Sequence, residues 1–493
     1  MGAVRAEGRR EPGIGPAIVV TAALALVAAA AVTGKGLHTA AAVAGLVVVV
    51  AVAHERLFAW RTQLGLIMLV ILFVPIKRYT LPAQLPFNLE LYRLVVAVVV
   101  VAWFTSLLID PRVVLRASGF DAPLLLFVFA ILLSLIANAA RVGPVGVNAI
   151  KTVTFFLSFV LVFYIVVSLL RRARDVDFLV GLLAGGGSVL GFLAVVEAIT
   201  KQNVFNHLST VLPILHFHAS QVPILTRGGH LRVYASAQHP IAFGAALAVL
   251  LPLAIYKACS YGQKRWWLAV FLILLGTLAT RSRTAVLMML AMLLVYIVLR
   301  PGTMKRLWPA VLPALIAIHF ALPGAIGTVV ESFTPKGGLI AEQQNTAVGS
   351  GRVATLGPAL DHEFKPNPLL GEGFGTRITG RPEPGQPAPN APILDDGWLG
   401  VLLETGIVGT AMLVWLFTRS IRRMGRAAKA DRSPRGWLLA GTTGAVVAYG
   451  VGMFTYDAFS FIQVTLLLFI VLGIGATAML SPPEEWERLR SHR

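Results

Sequence analysis

Asp395-Asp396-Gly-Trp-Leu-Gly-Val-Leu-Leu-Glu404-Thr-Gly-Ile-Val-Gly409 opens on two carboxylates and carries a third, Glu404, into an apolar run. The run continues to residue 418, long enough at 1.5 Å per residue to cross the ~30 Å hydrocarbon core of a bilayer. The stretch therefore predicts a membrane helix over 396–418 that starts from a polar lip. Upstream lies the one long polar insertion of the chain. It runs from Ser350-Gly351-Arg352 through Asn367-Pro-Leu-Leu-Gly-Glu-Gly-Phe-Gly375 to a strap marked by Pro382, Pro384, Pro387, Pro389 and Pro392. Prolines at that density give a stiff extended segment rather than a domain. Val353, Leu356, Leu360 and Phe364 fall at helical spacing and predict a short helix lying on the membrane surface, kinked at Gly357-Pro358.

Outward from this insertion the chain reads as membrane. It is 57% hydrophobic and 13% charged, about half the charge of a soluble domain. Spans are predicted at 14–32, 37–53, 62–75, 91–109, 122–139, 150–170, 178–199, 239–257, 266–280, 284–299, 307–322, 396–418, 436–456 and 459–480, about fourteen in all. The fold class is all-α, a polytopic transmembrane helix bundle. Residues 1–200 and 201–322 form its N-terminal and central helices, the latter with a His-bearing outer loop. Residues 323–395 form an extracytoplasmic loop between the eleventh and twelfth spans, 396–480 the C-terminal helices, and 481–493 a cytoplasmic tail.

The net charge of +19 is spread over short clusters between apolar runs, which is the pattern of cytoplasmic membrane loops and not of a nucleic-acid footprint. With both termini cytoplasmic, Arg171–Arg174, Lys257, Lys264-Arg265, Lys305-Arg306, the seven basic residues from Arg419 to Arg435, and Arg488, Arg490 and Arg493 all fall inside. The 323–395 insertion, whose five basic residues are outnumbered by six acids up to Glu383, falls outside with the 200–238 loop. Arg5, Arg9 and Arg10 before Ile14–Val32 resemble a signal peptide, but the long apolar core reads as a first anchor. Cys259 alone excludes an internal disulfide framework.

Each polar residue near the outer face has a structural and a functional reading. Arg281 and Arg283 sit between two apolar runs, where an arginine costs about 3 kcal/mol at membrane depth unless it faces water or a partner. They either snorkel to the interface or bind an anion, since the guanidinium fork matches phosphate oxygens. Arg232, in Arg232-Val-Tyr-Ala-Ser-Ala-Gln-His239-Pro240, and Arg352 have the same two readings. Asp395 and Asp396 either cap the following helix or provide a base at a wet surface. Glu404, eight residues beyond Asp396 and about 12 Å deeper, is either a functional carboxylate or half of an ion pair. His216-x-His218 lacks a Cys or acidic companion for a metal, and Gly371, Gly373 and Gly375 read as tight turns rather than a nucleotide loop.

In order along the last 260 or so residues, four pieces resemble the O-antigen ligase and O-antigen polymerase superfamily of bacterial membrane glycosyltransferases. They are Arg232 to Gly244, Thr280-Arg-Ser-Arg-Thr-Ala285, Arg352 with Asn367-Pro-Leu-Leu-Gly-Glu-Gly373, and Leu394-Asp-Asp-Gly-Trp-Leu399 with Leu403-Glu-Thr-Gly-Ile-Val-Gly409. The family's loop histidine falls on Asp395 here and its asparagine on Asp396. The resemblance implies a multi-pass enzyme of the bacterial cytoplasmic membrane, acting on its outer side without cofactor or metal. It implies transfer of a glycan from a polyprenyl-pyrophosphate carrier to an acceptor glycan or lipid-glycan hydroxyl, within membrane lipid. Asp395, Arg352 and Arg232 would be catalytic, and Arg283, Arg281, Asp396, Glu404 and His239 would bind substrate. A transporter or flippase of a polyprenyl-linked or anionic solute, or a non-catalytic relative, is the alternative. Transporters favour repeats and broken helices at the midplane, and the sequence shows no repeat.

Overall fold

The structure, a computed structural model, describes residues 59–82, 89–218, 226, 227, 229–334, 338, 352–379 and 388–491. The spans expected at 14–32 and 37–53, and Pro382, Pro384 and Pro387 of the strap, lie outside the described residues. The chain divides into two compact units, Met1–Leu66 and Ile67–Arg493. Of the first, only the turn leading into helix α1 and the start of that helix are described.

All twelve spans expected on described residues meet helix. They are α1 (Trp60–Phe73), α2 (Leu91–Ile109), α3 (Asp121–Ala137), α4 (Ala139–Leu169), α5 (Ala173–Thr200), α6 (Pro240–Tyr261), α7 (Lys264–Ala279), α8 (Arg283–Leu299), the broken segment Pro301–Ala321, α10 (Gly397–Ala430), α11 (Pro434–Gly452) and α12 (Ile462–Leu480). A short α9 (Arg352–Ala359) precedes α10, and α13 (Pro483–Ser491) ends the described chain.

The count of fourteen spans is not reproduced. Six described helices are long and apolar enough to cross a membrane, namely α2, α4, α5, α6, α10 and α12. A seventh is added if α8 and Pro301–Ala321, bent by 118° to one another, make one broken span. The difference is physical. Fourteen residues in α1 and sixteen in α7 rise only about 21–24 Å, and α11 dilutes its apolar residues with glycine and threonine. The expected eleventh span is the tail of a bend made where Pro301 follows Arg300. Two small ladders also depart from a purely helical chain: β1 (Tyr79–Thr80) pairs with β2 (His216–Phe217), and β3 (Thr226–Arg227) with β4 (His230–Leu231). His218 spends its Nε2 on the Thr80 hydroxyl at 2.8 Å, which gives it a place in this loop structure.

α6 and α12 are apolar all round and lie at the centre, with 89% and 94% of their apolar windows buried. α5, α7, α8 and α11 surround α6, while α4 and α11 flank α12. Small residues set the closest crossing. A Cβ on Gly191 of α5 would lie 2.2 Å from the Leu272 carbonyl of α7, so the two backbones touch there.

Within the Ile67–Arg493 unit the helices have two chemically different ends. At one end Lys257 bonds Asp177 (2.7 Å), Arg300 donates to the Asp431 carbonyl (2.7 Å), and Arg435 bonds Asp431 (2.7 Å). There too Arg419 and Arg423 donate to the Gly119 carbonyl (2.6 and 2.9 Å). This end gathers the basic clusters. Glu197, His239, Arg283 and Gly397 stand at the other ends of α5, α6, α8 and α10.

The Lys257–Asp177 pair is fully buried, and Tyr256 also donates to the same carboxylate oxygen at 2.7 Å. Lys257→Met is expected to lower unfolding free energy by about 3–5 kcal/mol, because it strands a buried carboxylate. Adding Asp177→Leu should recover most of that loss, read from thermal unfolding of the protein in detergent. Equal unfolding of the single variant and the parent would show that the pair contributes nothing.

Candidate active site

The loop entering α6 is pinned from below. Glu197, at the end of α5, accepts the Tyr234 and Ala235 amides at 3.4 and 2.9 Å. Arg78, wholly buried, donates to Asn206 Oδ1 (2.7 Å), the Ala237 carbonyl (3.2 Å) and the Ala235 carbonyl, and lies 5.0 Å over the Tyr234 ring. Burial pushes this guanidinium down to about 10. Its Nη1 and Nη2 donate to loop atoms while its Nε meets no partner among the described residues, and it braces the loop entering α6. Sequence reading missed it because the groups it braces are more than a hundred residues away.

On this brace sits a cluster of arginines. Arg232 is 7% exposed; its Nε donates to the Thr280 carbonyl at 3.3 Å, and its Nη2 donates to no group among the described residues. Burial pushes it down to about 10, and the neighbouring Arg227 and Arg283 push the same way. Arg281 is 8% exposed, with Nε and Nη1 likewise unspent. Its φ of +49° is left-handed, a conformation costly for any side chain-bearing residue. Arg227 Nη1 donates to the Arg281 carbonyl at 2.8 Å and holds this turn. Arg283 begins α8. Like charges gathered with unspent buried donors form a receptacle for an anion.

The two carboxylates ahead of α10 separate in role. Asp396 caps the helix, with Oδ1 accepting the Leu399 amide at 3.0 Å. The Gly397 amide donates to the Met453 and Tyr456 carbonyls at 2.6 and 3.0 Å. Asp395 is half-buried and lies close enough to His239 to act on its charge. Arg232 acts on the same imidazole from the opposite sign. His239 accepts the Ile241 amide at Nδ1 (3.1 Å) and stacks on Phe461 with ring centres 5.8 Å apart. Burial, then Arg232, push it down to about 4 against the pull of Asp395. Gln238 donates to the Ser460 carbonyl at 3.1 Å. The 232–239 loop, the 280–283 turn, the 395–397 lip and the 453–461 loop thus converge.

Below the lip α10 breaks at Gly406, and the segment 367–375 fills the break. Glu372 and Gly373 amides donate to the Leu403 and Glu404 carbonyls at 2.8 and 3.1 Å. Ile407 and Val408 amides donate to the Pro368 and Leu369 carbonyls at 2.9 and 3.2 Å. Backbone groups that the break would orphan are satisfied by the loop, as buried helix ends require. Glu404 takes a hydrogen bond from the Gly375 amide, and the charges acting on it are Arg377, Asp457 and Glu363. Arg377 bonds Glu363 at 2.6 Å. Glu404 therefore belongs to this second cluster and not to the arginines around Arg232. α9 opens at Arg352, whose side chain lies outside the described residues. Its end and the π-turn Leu360–Phe364 pack through Ala359, Leu360 and Phe364 against Leu394, Leu399 and Leu403.

Residues 268–414 match the O-antigen ligase family. The match supports membership of the O-antigen ligase and polymerase superfamily and, with it, a membrane glycosyltransferase-like role in polysaccharide biosynthesis. No curated protein matches the chain. The matched segment takes in Arg281, Arg283, the 367–375 plug, Asp395, Asp396 and Glu404. Arg232 and His239, which complete the site, lie before it in the chain.

Asp457 is a titratable group beside Glu404 that sequence reading missed. It lies in the loop joining α11 to α12, accepts the Ser460 hydroxyl, and is held up by burial against the pull of Lys77 and Arg377. A single aspartate after Thr455-Tyr456 gives no periodic or motif signal, and only the packing of its loop on Gly397 reveals its place.

Proposed function

We propose that this protein is an inverting glycosyltransferase that moves a glycan from a polyprenyl-pyrophosphate carrier to an acceptor sugar hydroxyl on the outer side of the bacterial cytoplasmic membrane. The observation that carries the reading is the unspent Nη2 of Arg232, with Arg281 and Arg283 nearby, and with Arg232 and Asp395 both acting on the His239 imidazole. An anion with several oxygens matches those donors, and a carboxylate at its edge is placed to take a proton. The acceptor oxygen attacks the anomeric carbon as its proton passes to Asp395. The bond from that carbon to the phosphate oxygen breaks, and the pyrophosphate leaves with the electron pair. Arg232, Arg281, Arg283 and Arg352 stabilise the negative charge that develops. Asp395 works as base by position, as carboxylates do in inverting glycosidases.

Purified protein in lipid, given a polyprenyl-pyrophosphate glycan and an acceptor, should release polyprenyl pyrophosphate and form a glycosidic bond. Asp395→Asn should abolish release. Asp396→Ala should retain it and instead lose about 1 kcal/mol of stability with its cap. Glycan crossing a sealed vesicle without bond formation would replace this reading with transport.

A further inference from the structure

His239 stands between the two halves of the reaction proposed above, and its ring is committed to one proton form. Nδ1 accepts the Ile241 amide at the first turn of α6, so in the neutral ring the proton sits on Nε2. The ring is stacked on Phe461, and the Gln238 bond to Ser460 ties the residue before it to the same loop. Arg232, beside it, opposes a second proton, while Asp395 favours one. We propose that His239 serves the leaving group, donating its Nε2–H to a pyrophosphate oxygen of the lipid-linked donor, and that it does not replace the loop histidine of the family as base. The ring has a donor to offer and no free acceptor. A developing phosphate anion needs donors, whereas a base must accept a proton. The Nε2–H bond stays intact throughout: the acceptor's proton goes to the carboxylate, and the hydrogen bond from His239 shortens as charge builds on the departing oxygen. Held well below its ordinary range, the imidazole keeps this form across the physiological range, as a neutral electrophile does.

This inference rests on the transferase reading, and two capping substitutions separate the two. Asparagine and aspartate both cap helices well, so His239→Asn and His239→Asp both keep the bond to the Ile241 amide. Only asparagine still donates. With polyprenyl-pyrophosphate glycan as substrate, the asparagine variant should retain transfer within about tenfold, and the aspartate variant should lose about 10²–10³-fold, the effect of deleting one charge-stabilising donor. Ring ¹⁵N shifts of the parent, assigned by difference against the asparagine variant, should show an unprotonated Nδ1 and a protonated Nε2 unchanged from pH 8 to 5.5. An aspartate variant as active as the asparagine one, or a ring that titrates near 6.5, overturns the assignment. Loss of pyrophosphate release in Arg232→Met, measured alongside, tests the transferase reading by itself: its absence would fell that reading whatever the His239 variants do.

Discussion

Arg232→Met is expected to lower polyprenyl-pyrophosphate release by about 10²–10³-fold, equivalent to roughly 3–4 kcal/mol of transition-state stabilisation, while the protein unfolds at an unchanged or higher temperature. The two halves of this result come from one arrangement. Among the described residues the side chain makes one long bond, Nε to the Thr280 carbonyl at 3.3 Å, and its buried Nη2 is unspent. Arg227 and Arg283 add repulsion, and burial disfavours the charge. A buried cation with such neighbours costs stability, and a methionine of similar length fills the space without that cost. The cost is tolerated because the same donor is preorganised for an anion. Arg232→Lys should recover little, since an ammonium is a point charge where a fork is required. A variant in which release and unfolding temperature fall together would instead mark Arg232 as a structural residue.

What sequence could and could not reveal follows from how far each signal reaches. Apolar runs of 14 to 23 residues announce helices, and all twelve on described residues meet helix; they do not announce the bend at Arg300-Pro301, which depends on a single φ/ψ pair. Asp395 and Asp396 look identical in sequence. Only the Leu399 amide, 3.0 Å from Asp396, tells the cap from its neighbour. Arg281, which shares one turn with Arg283 in sequence, is set apart by its left-handed backbone and its unspent donors. Glu404 reads correctly as a carboxylate inside an apolar run. Its partners come from the 363–377 loop and from Asp457, so its intended arginine had to be read from tertiary packing. Arg78 and Asp457 had no signal at all, because a residue's role in bracing distant loops leaves no trace in local pattern.

Gly406→Ala is the backbone counterpart, with an expected loss of roughly 4 kcal/mol from strain and overlap together. The residue sits at φ +66°, ψ −167°, in the middle of α10, a region of conformational space that only glycine enters without strain. An added Cβ would lie 2.3 Å from the carbonyl carbon of Leu369. Relief is possible only by withdrawing the 367–375 segment, which would orphan the Leu403 carbonyl and the Ile407 and Val408 amides at once and leave the Glu404 carbonyl only the Ser134 hydroxyl. Buried groups stranded in that way cost further free energy, so the loop and the helix should come apart as one unit. Gly400→Ala in the same helix supplies the contrast. No atom lies within 4 Å of its added Cβ, and alanine in a helix interior gains about 0.5–1 kcal/mol over glycine. The first variant should unfold well below the parent in detergent and expose residues 367–375 to protease, and the second should unfold slightly above it. Should Gly406→Ala fold as stably as Gly400→Ala, the plug does not hold α10 together, and the segment 367–375 would need another reason to lie against the break.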